Sequence, residues 1–128
     1  MPHTSRVLQF CLLLLPIHAL AGTSLDGVWE VTFSTRYTET RQAQVKINGT
    51  QGTWTTVAQG GKEKNDPCVG HPFPLMVKNT ETASVVLEVS FSKIVPGCKD
   101  RTITGRLTET NSIEGKLENG KPVRMLRK

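Results

Sequence analysis

Residues Thr102–Leu117 read TITGRLTETNSIEGKL. Two near-copies, TITGRL and SIEGKL, flank the connector Thr108–Asn111. Each alternates apolar and polar residues with a period of two, the pattern of a strand buried on one face. Folding the chain back at the connector sets Gly105 beside Gly115, Ile103 beside Leu117 and Leu107 beside Ile113. On the outer face Arg106 meets Glu114, an exposed pair worth well under about 1 kcal/mol. Facing glycines in mid-strand mark a sharp bend or a bulge, which a sheet needs in order to close on itself.

The same alternation recurs upstream. VWEVTFST (28–35) sets Trp29, Val31 and Phe33 against Glu30, Thr32 and Ser34. RQAQVKI (41–47) sets Ala43, Val45 and Ile47 against Gln42, Gln44 and Lys46. Asn48-Gly49 accepts the positive φ of a two-residue hairpin turn, so GTWTTV (52–57) returns with Trp54 inward and opposite Ala43. FPLMVK (73–78) turns Phe73, Leu75 and Val77 inward. After Asn79–Thr82, SVVLEVSF (84–91) does the same with Val85, Leu87, Val89 and Phe91. The final strand, PVRMLRK (122–128), admits two registers. A two-residue Asn119-Gly120 turn aims Arg124 and Leu126 inward. A three-residue Glu118-Asn119-Gly120 loop with a glycine bulge aims Val123, Met125 and Arg127 inward. The second buries more apolar surface and is the expectation.

Eight short strands with no helical periodicity and no long crossover define an all-β chain. The expected fold is an eight-stranded antiparallel up-and-down meander, closed into a barrel so that no strand edge is left exposed. The tight turns at Asn48-Gly49, Asn79–Thr82 and Thr108–Asn111 fall at one end, with the start of the first strand. The long connections, AQGGKEKNDPCVGHP (58–72) and SKIVPGCKD (92–100), gather at the other, where a barrel usually carries its binding function. Cys68 and Cys98 lie in those two connections, and the topology brings them together as a disulfide. Closing a loop of about 30 residues would restrict the unfolded chain by roughly 3–4 kcal/mol. The pairing also disarms NDPCVGHPFP (65–74). Asp66, Cys68 and His71 offer three potential metal ligands, but a disulfide sulfur cannot ligate. His71 as a general base lacks any accompanying nucleophile signature. No catalytic residue, metal or cofactor is expected.

The N-terminus has the parts of an export signal: Arg6, the apolar run VLQFCLLLLP (7–16), and Ala19-x-Ala21 as the cleavage site. The apolar run is too short to span a bilayer. The expectation is a signal peptide over 1–21, a single domain over 22–128, and a bacterial periplasmic or extracellular location. Two remaining cysteines suit that oxidising setting. Net charge is +5, one unit of which leaves with Arg6. The cations are scattered, dense only in KPVRMLRK (121–128). A nucleic-acid face needs clustered cations with interleaved aromatics, whereas here the aromatics take inward positions. Nucleic acid is therefore not an expected partner, and no later segment reads as a membrane span.

LDGVW (Leu25–Trp29) resembles the Gly-x-Trp opening of the calycin superfamily: lipocalins, fatty-acid-binding proteins and avidins. There the tryptophan plugs the closed end of the barrel, and a basic residue of the last strand lies across its ring. The resemblance implies those roles for Trp29 and Arg127, or Arg124 in the other register. An indole face attracts a guanidinium, and the pair seals a floor where a bare arginine would be too costly. LDGVWEVTFST and INGTQGTWTTVAQG are similar to the first hairpins of avidin, over about a third of the chain after residue 21. The biotin contacts are not retained. That pocket takes Asn and Ser from the first strand and Tyr from the third, where Val31, Thr35 and Trp54 stand here. Thr56 alone matches a polar position, and the later wall tryptophans are missing. The chain is also similar in outline to periplasmic inhibitors of bacterial metalloproteases, small barrels whose N-terminal tail enters the protease cleft. GTSL (22–25) is such a tail, although the cysteines lie later here than in that family.

These readings converge on a binding protein that is not an enzyme. A small hydrophobic ligand would sit in or at the open end against Phe33, Trp54, Thr56, Phe73 and Phe91, with Gly105 and Gly115 leaving room. The alternative is an inhibitor of a secreted hydrolase, a metalloprotease or a lysozyme, acting through the tail or the stapled loops.

Overall fold

A computed structural model describes residues 24–34, 39–79 and 83–128. The expected signal peptide, Thr35 and residues 80–82 of one tight turn lie outside the described residues. Eight strands follow in chain order: β1 (Gly27–Ser34), β2 (Thr40–Asn48), β3 (Gln51–Thr56), β4 (Phe73–Asn79), β5 (Ser84–Val89), β6 (Arg101–Glu109), β7 (Ser112–Leu117) and β8 (Pro122–Arg127). Each pairs antiparallel with its neighbour in sequence, and β8 returns to β1, closing an eight-stranded meander barrel. A 3-10 turn spans Gly61–Glu63 in the connection between β3 and β4. Among the described residues no helix is long and apolar enough to cross a membrane.

The β6–β7 hairpin has the register its sequence implies: Ile103 faces Leu117, Gly105 faces Gly115, and Leu107 faces Ile113. The glycines are required by close approach. A Cβ on Gly115 would lie 2.7 Å from the Gly105 Cα and 2.5 Å from the Thr104 carbonyl oxygen. A Cβ on Gly105 would lie 2.7 Å from the Glu114 carbonyl oxygen. The two backbones can cross this tightly only where neither carries a side chain.

The last strand takes the three-residue loop. Lys116 pairs with Pro122, the Leu117 N–H donates to the Lys121 carbonyl at 2.9 Å, and Gly120 supplies φ 82°. Val123 and Met125 are accordingly buried. The β2–β3 turn corrects the sequence reading. Asn48 pairs with Gln51, so the turn residues are Gly49 and Thr50, and Trp54 faces Val45 rather than Ala43. Gly49 has φ 65° while Thr50 stays out of the left-handed region, which fits a turn whose first position alone demands glycine. Asp26 accepts the Gly49 N–H at 2.6 Å and ties this turn to the start of β1. Moving the pairing by two residues leaves every side chain on its expected face.

Trp29, Val31, Val45, Leu87, Ile103, Ile113 and Met125 fill the interior with almost no exposure. Each such aliphatic side chain contributes about 1.5–3 kcal/mol relative to an exposed one. At the closed end the Arg127 guanidinium lies 4.5 Å from the Trp29 ring centroid. It donates to the carbonyls of Ser24, Asp26 and Thr110 at 3.1, 2.9 and 2.7 Å. The Trp29 indole N–H donates to the Leu25 carbonyl at 2.8 Å. The charge is thus spread over an aromatic face and three backbone oxygens, which is what allows it to cap the floor.

Candidate functional site

The other end is built by two long connections held together. Cys68 and Cys98 form a disulfide with their Cα atoms 5.7 Å apart. It joins the connection between β3 and β4 to that between β5 and β6. Each connection also has its own fastening. Asp66 accepts the Cys68 N–H at 2.9 Å, and the Gly70 N–H donates to the Thr56 carbonyl at 2.9 Å. Asp100 accepts the Ser92 N–H at 2.8 Å and the Ser92 hydroxyl at 3.0 Å. The Ser92 amide first, and its hydroxyl next, hold the Asp100 carboxyl below its ordinary value of 3.8. His71 is exposed, beyond the staple.

The mouth forms an open cavity of about 580 Å³. Four of the expected contact residues come together on it: Phe33, Trp54, Thr56 and Phe91. The Phe33 and Trp54 rings lie 5.5 Å apart with an interplanar angle of 58°. The Trp54 indole N–H donates to the Thr56 hydroxyl oxygen at 2.8 Å, leaving that hydroxyl hydrogen free to turn outward. Phe91 lies beyond the end of β5 yet remains buried.

Phe73, Gly105 and Gly115 are not among the residues lining this cavity. Phe73 is fully buried, its ring centroid 4.6 Å from that of Phe91. It packs directly beside Trp54 in the β3–β4 ladder and against Phe91, with no exposed surface. Gly105 and Gly115 open no space here, since what fills the gap beside each is the other's backbone.

The sequence reading missed the charges. Arg41 and Arg101 both line the mouth. Arg41 donates to Glu63 at 2.7 Å and Arg101 to Glu118 at 3.2 Å. Their signal was present in the alternation. Arg41 is one step out along the inward file of Ala43, Val45 and Ile47, and Arg101 is one step out from Ile103. The described part of the N-terminal tail, Ser24 and Leu25, sits at the opposite end: Leu25 is buried and Arg127 holds the Ser24 carbonyl at the closed floor. Ser24 and Leu25 therefore do not share a face with the stapled loops.

No known protein family and no curated protein sequence matches this chain. Among solved structures it is similar to a redesigned β-barrel, with TM-score 0.50 and 14% sequence identity, over 81% of this chain and 90% of that one. At that identity the likeness is one of fold and carries no activity. The class so defined is a closed eight-stranded meander barrel with one disulfide.

Proposed function

We propose that this is an exported, non-enzymatic binding protein of calycin-like type, holding a small, largely apolar ligand at the open end of its barrel. The observation that carries the reading is the cavity of about 580 Å³ bounded by Phe33, Trp54 and Phe91 on top of a filled interior. Concave sites lined by aromatics with a few placed polar groups are the usual form of a small-molecule site. The Gly-x-Trp opening with Arg127 over Trp29 supports the calycin-like comparison. The disulfide and the N-terminal signal pattern support export.

Titration with the neutral fluorescent probe N-phenyl-1-naphthylamine tests it. Trp54 lines the mouth and Trp29 the floor, so energy transfer to bound probe should fall sharply in Trp54→Phe. No saturable binding to the wild-type protein would overturn the proposal. A second reading, inhibition of a secreted metalloprotease or lysozyme, is favoured by Ile94, which is 58% exposed in the stapled connection after β5. Loss of inhibition in Ile94→Asp would support it. Undiminished hydrolysis at excess wild-type protein would remove it.

A further inference from the structure

Arg41 stands at an inward position near the mouth, opposite Phe33 on β1. Its side chain is only 14% exposed. Nη1 is committed to Glu63. Nε and Nη2 are shielded from water and have no hydrogen-bond partner among the described residues. Leaving a buried donor idle costs on the order of 1–3 kcal/mol, more for a charged group. The two idle atoms are not a random pair. Nε and Nη2 lie on one edge of the guanidinium and present parallel N–H groups, the fork that matches a carboxylate bidentately. Glu63 holds Nη1 on the other side and competes with any arriving anion for the same charge.

The rest of the mouth agrees in charge and shape. Arg41, Lys99 and Arg101 line it, with Glu39 as the lining carboxylate. Arg101 is engaged by Glu118, while Lys99 has no ion pair among the described residues. Below the aromatics, Val45, Leu87, Ile103 and Met125 occupy the barrel, leaving no shaft for a long chain. Phe33 and Trp54, tilted at 58°, offer an edge and a face to a flat body. We infer that the mouth takes a compact aromatic carboxylate. Its ring lies among Phe33, Trp54 and Phe91, and its carboxylate lies on the Nε–Nη2 edge of Arg41 after a small swing of the guanidinium about the Glu63 contact. This rests on the proposed reading of the mouth as a ligand site and adds the ligand's charge and size.

Calorimetric titration with 2-naphthoate, its neutral isostere 2-naphthamide, and dodecanoate tests the inference. The naphthoate should bind at least about tenfold tighter than the amide, the scale of one charge-assisted bidentate contact. Arg41→Gln should bring the two within about twofold, by weakening the naphthoate. Glu63→Gln frees the guanidinium and should tighten naphthoate several-fold, a gain that a merely structural pair would not produce. Should Arg41→Gln fail to fold by circular dichroism, Glu63→Gln and the wild-type pair decide. Equal affinity for naphthoate and amide, or a preference that survives Arg41→Gln, overturns the carboxylate assignment and leaves the neutral-ligand reading standing. Dodecanoate binding tighter than naphthoate overturns the compact shape. If the neutral probe also fails to bind, the ligand-site reading itself falls.

Discussion

Removing the Cys68–Cys98 bond should destabilise the protein mainly through its unfolded state. The two cysteines are 30 residues apart. For a closed loop of that length the chain-entropy model gives about 12 cal/mol/K, or about 3.6 kcal/mol at 25 °C. The folded loops have other fastenings, in Asp66 to Cys68, Gly70 to Thr56, and Asp100 to Ser92. The double variant Cys68→Ala, Cys98→Ala should therefore keep the native near-ultraviolet spectrum in the absence of denaturant. Alanine is preferred to serine, because Cys98 is buried and a hydroxyl there would lack a partner. With a urea m-value of about 1–3 kcal/mol/M, the midpoint should fall by roughly 1–4 M. The m-value itself should rise, since an uncross-linked unfolded chain exposes more surface. A loss below about 1 kcal/mol would refute the loop-closure argument. A folded double variant with an altered near-ultraviolet signal in buffer alone would refute the claim that the staple acts on the unfolded chain.

Three further expectations follow from separate parts of the barrel. Gly115→Val forces a side chain against Gly105 and Thr104, and should cost about 1–3 kcal/mol by overpacking in chemical denaturation; unchanged stability would mean that β6 and β7 do not cross so closely. Arg127→Met strips the Trp29 face and three carbonyls of their cation, and should cost about 2–4 kcal/mol and alter Trp29 emission. Because it lies at the closed end, it should leave probe binding at the mouth intact, and a large affinity loss would contradict the separation of the two ends. Asp100 should titrate below 3.8 by carboxyl-detected NMR. Its folded value is lowered, so the stability it adds is present above 3.8 and is lost as pH falls through the folded value. Ser92→Ala keeps the amide donor and loses the hydroxyl, so it should return only part of that shift; no movement at all would exclude the hydroxyl as a cause.

Legibility in the sequence varied with how local each decision was. The β6–β7 register was readable because two glycines and two apolar pairs all agree on one alignment. The loop before β8 was readable because only the three-residue form buries Val123 and Met125. The β2–β3 turn was misplaced by one residue, since Asn48-Gly49 and Gly49-Thr50 both satisfy the turn chemistry and both keep Trp54 inward. At the mouth, alternation identified Phe33 and Trp54, but it ranked Phe73 with them although Phe73 is fully buried and does not line the cavity. Depth along a barrel depends on strand stagger, which no single strand records.

The sequence by itself determined the all-β class, the strand count, the inward and outward faces, and the pairing of Cys68 with Cys98. These follow from a period of two and from loops that a meander must send to one end. Only the tertiary structure decided how far the interior is filled, that Phe73 supports the mouth rather than lining it, and that Arg41 keeps one edge of its guanidinium idle. The physical reason is that these depend on how side chains from several strands and loops pack together in three dimensions. Alternation says which way a residue points and is silent about what it meets across the barrel.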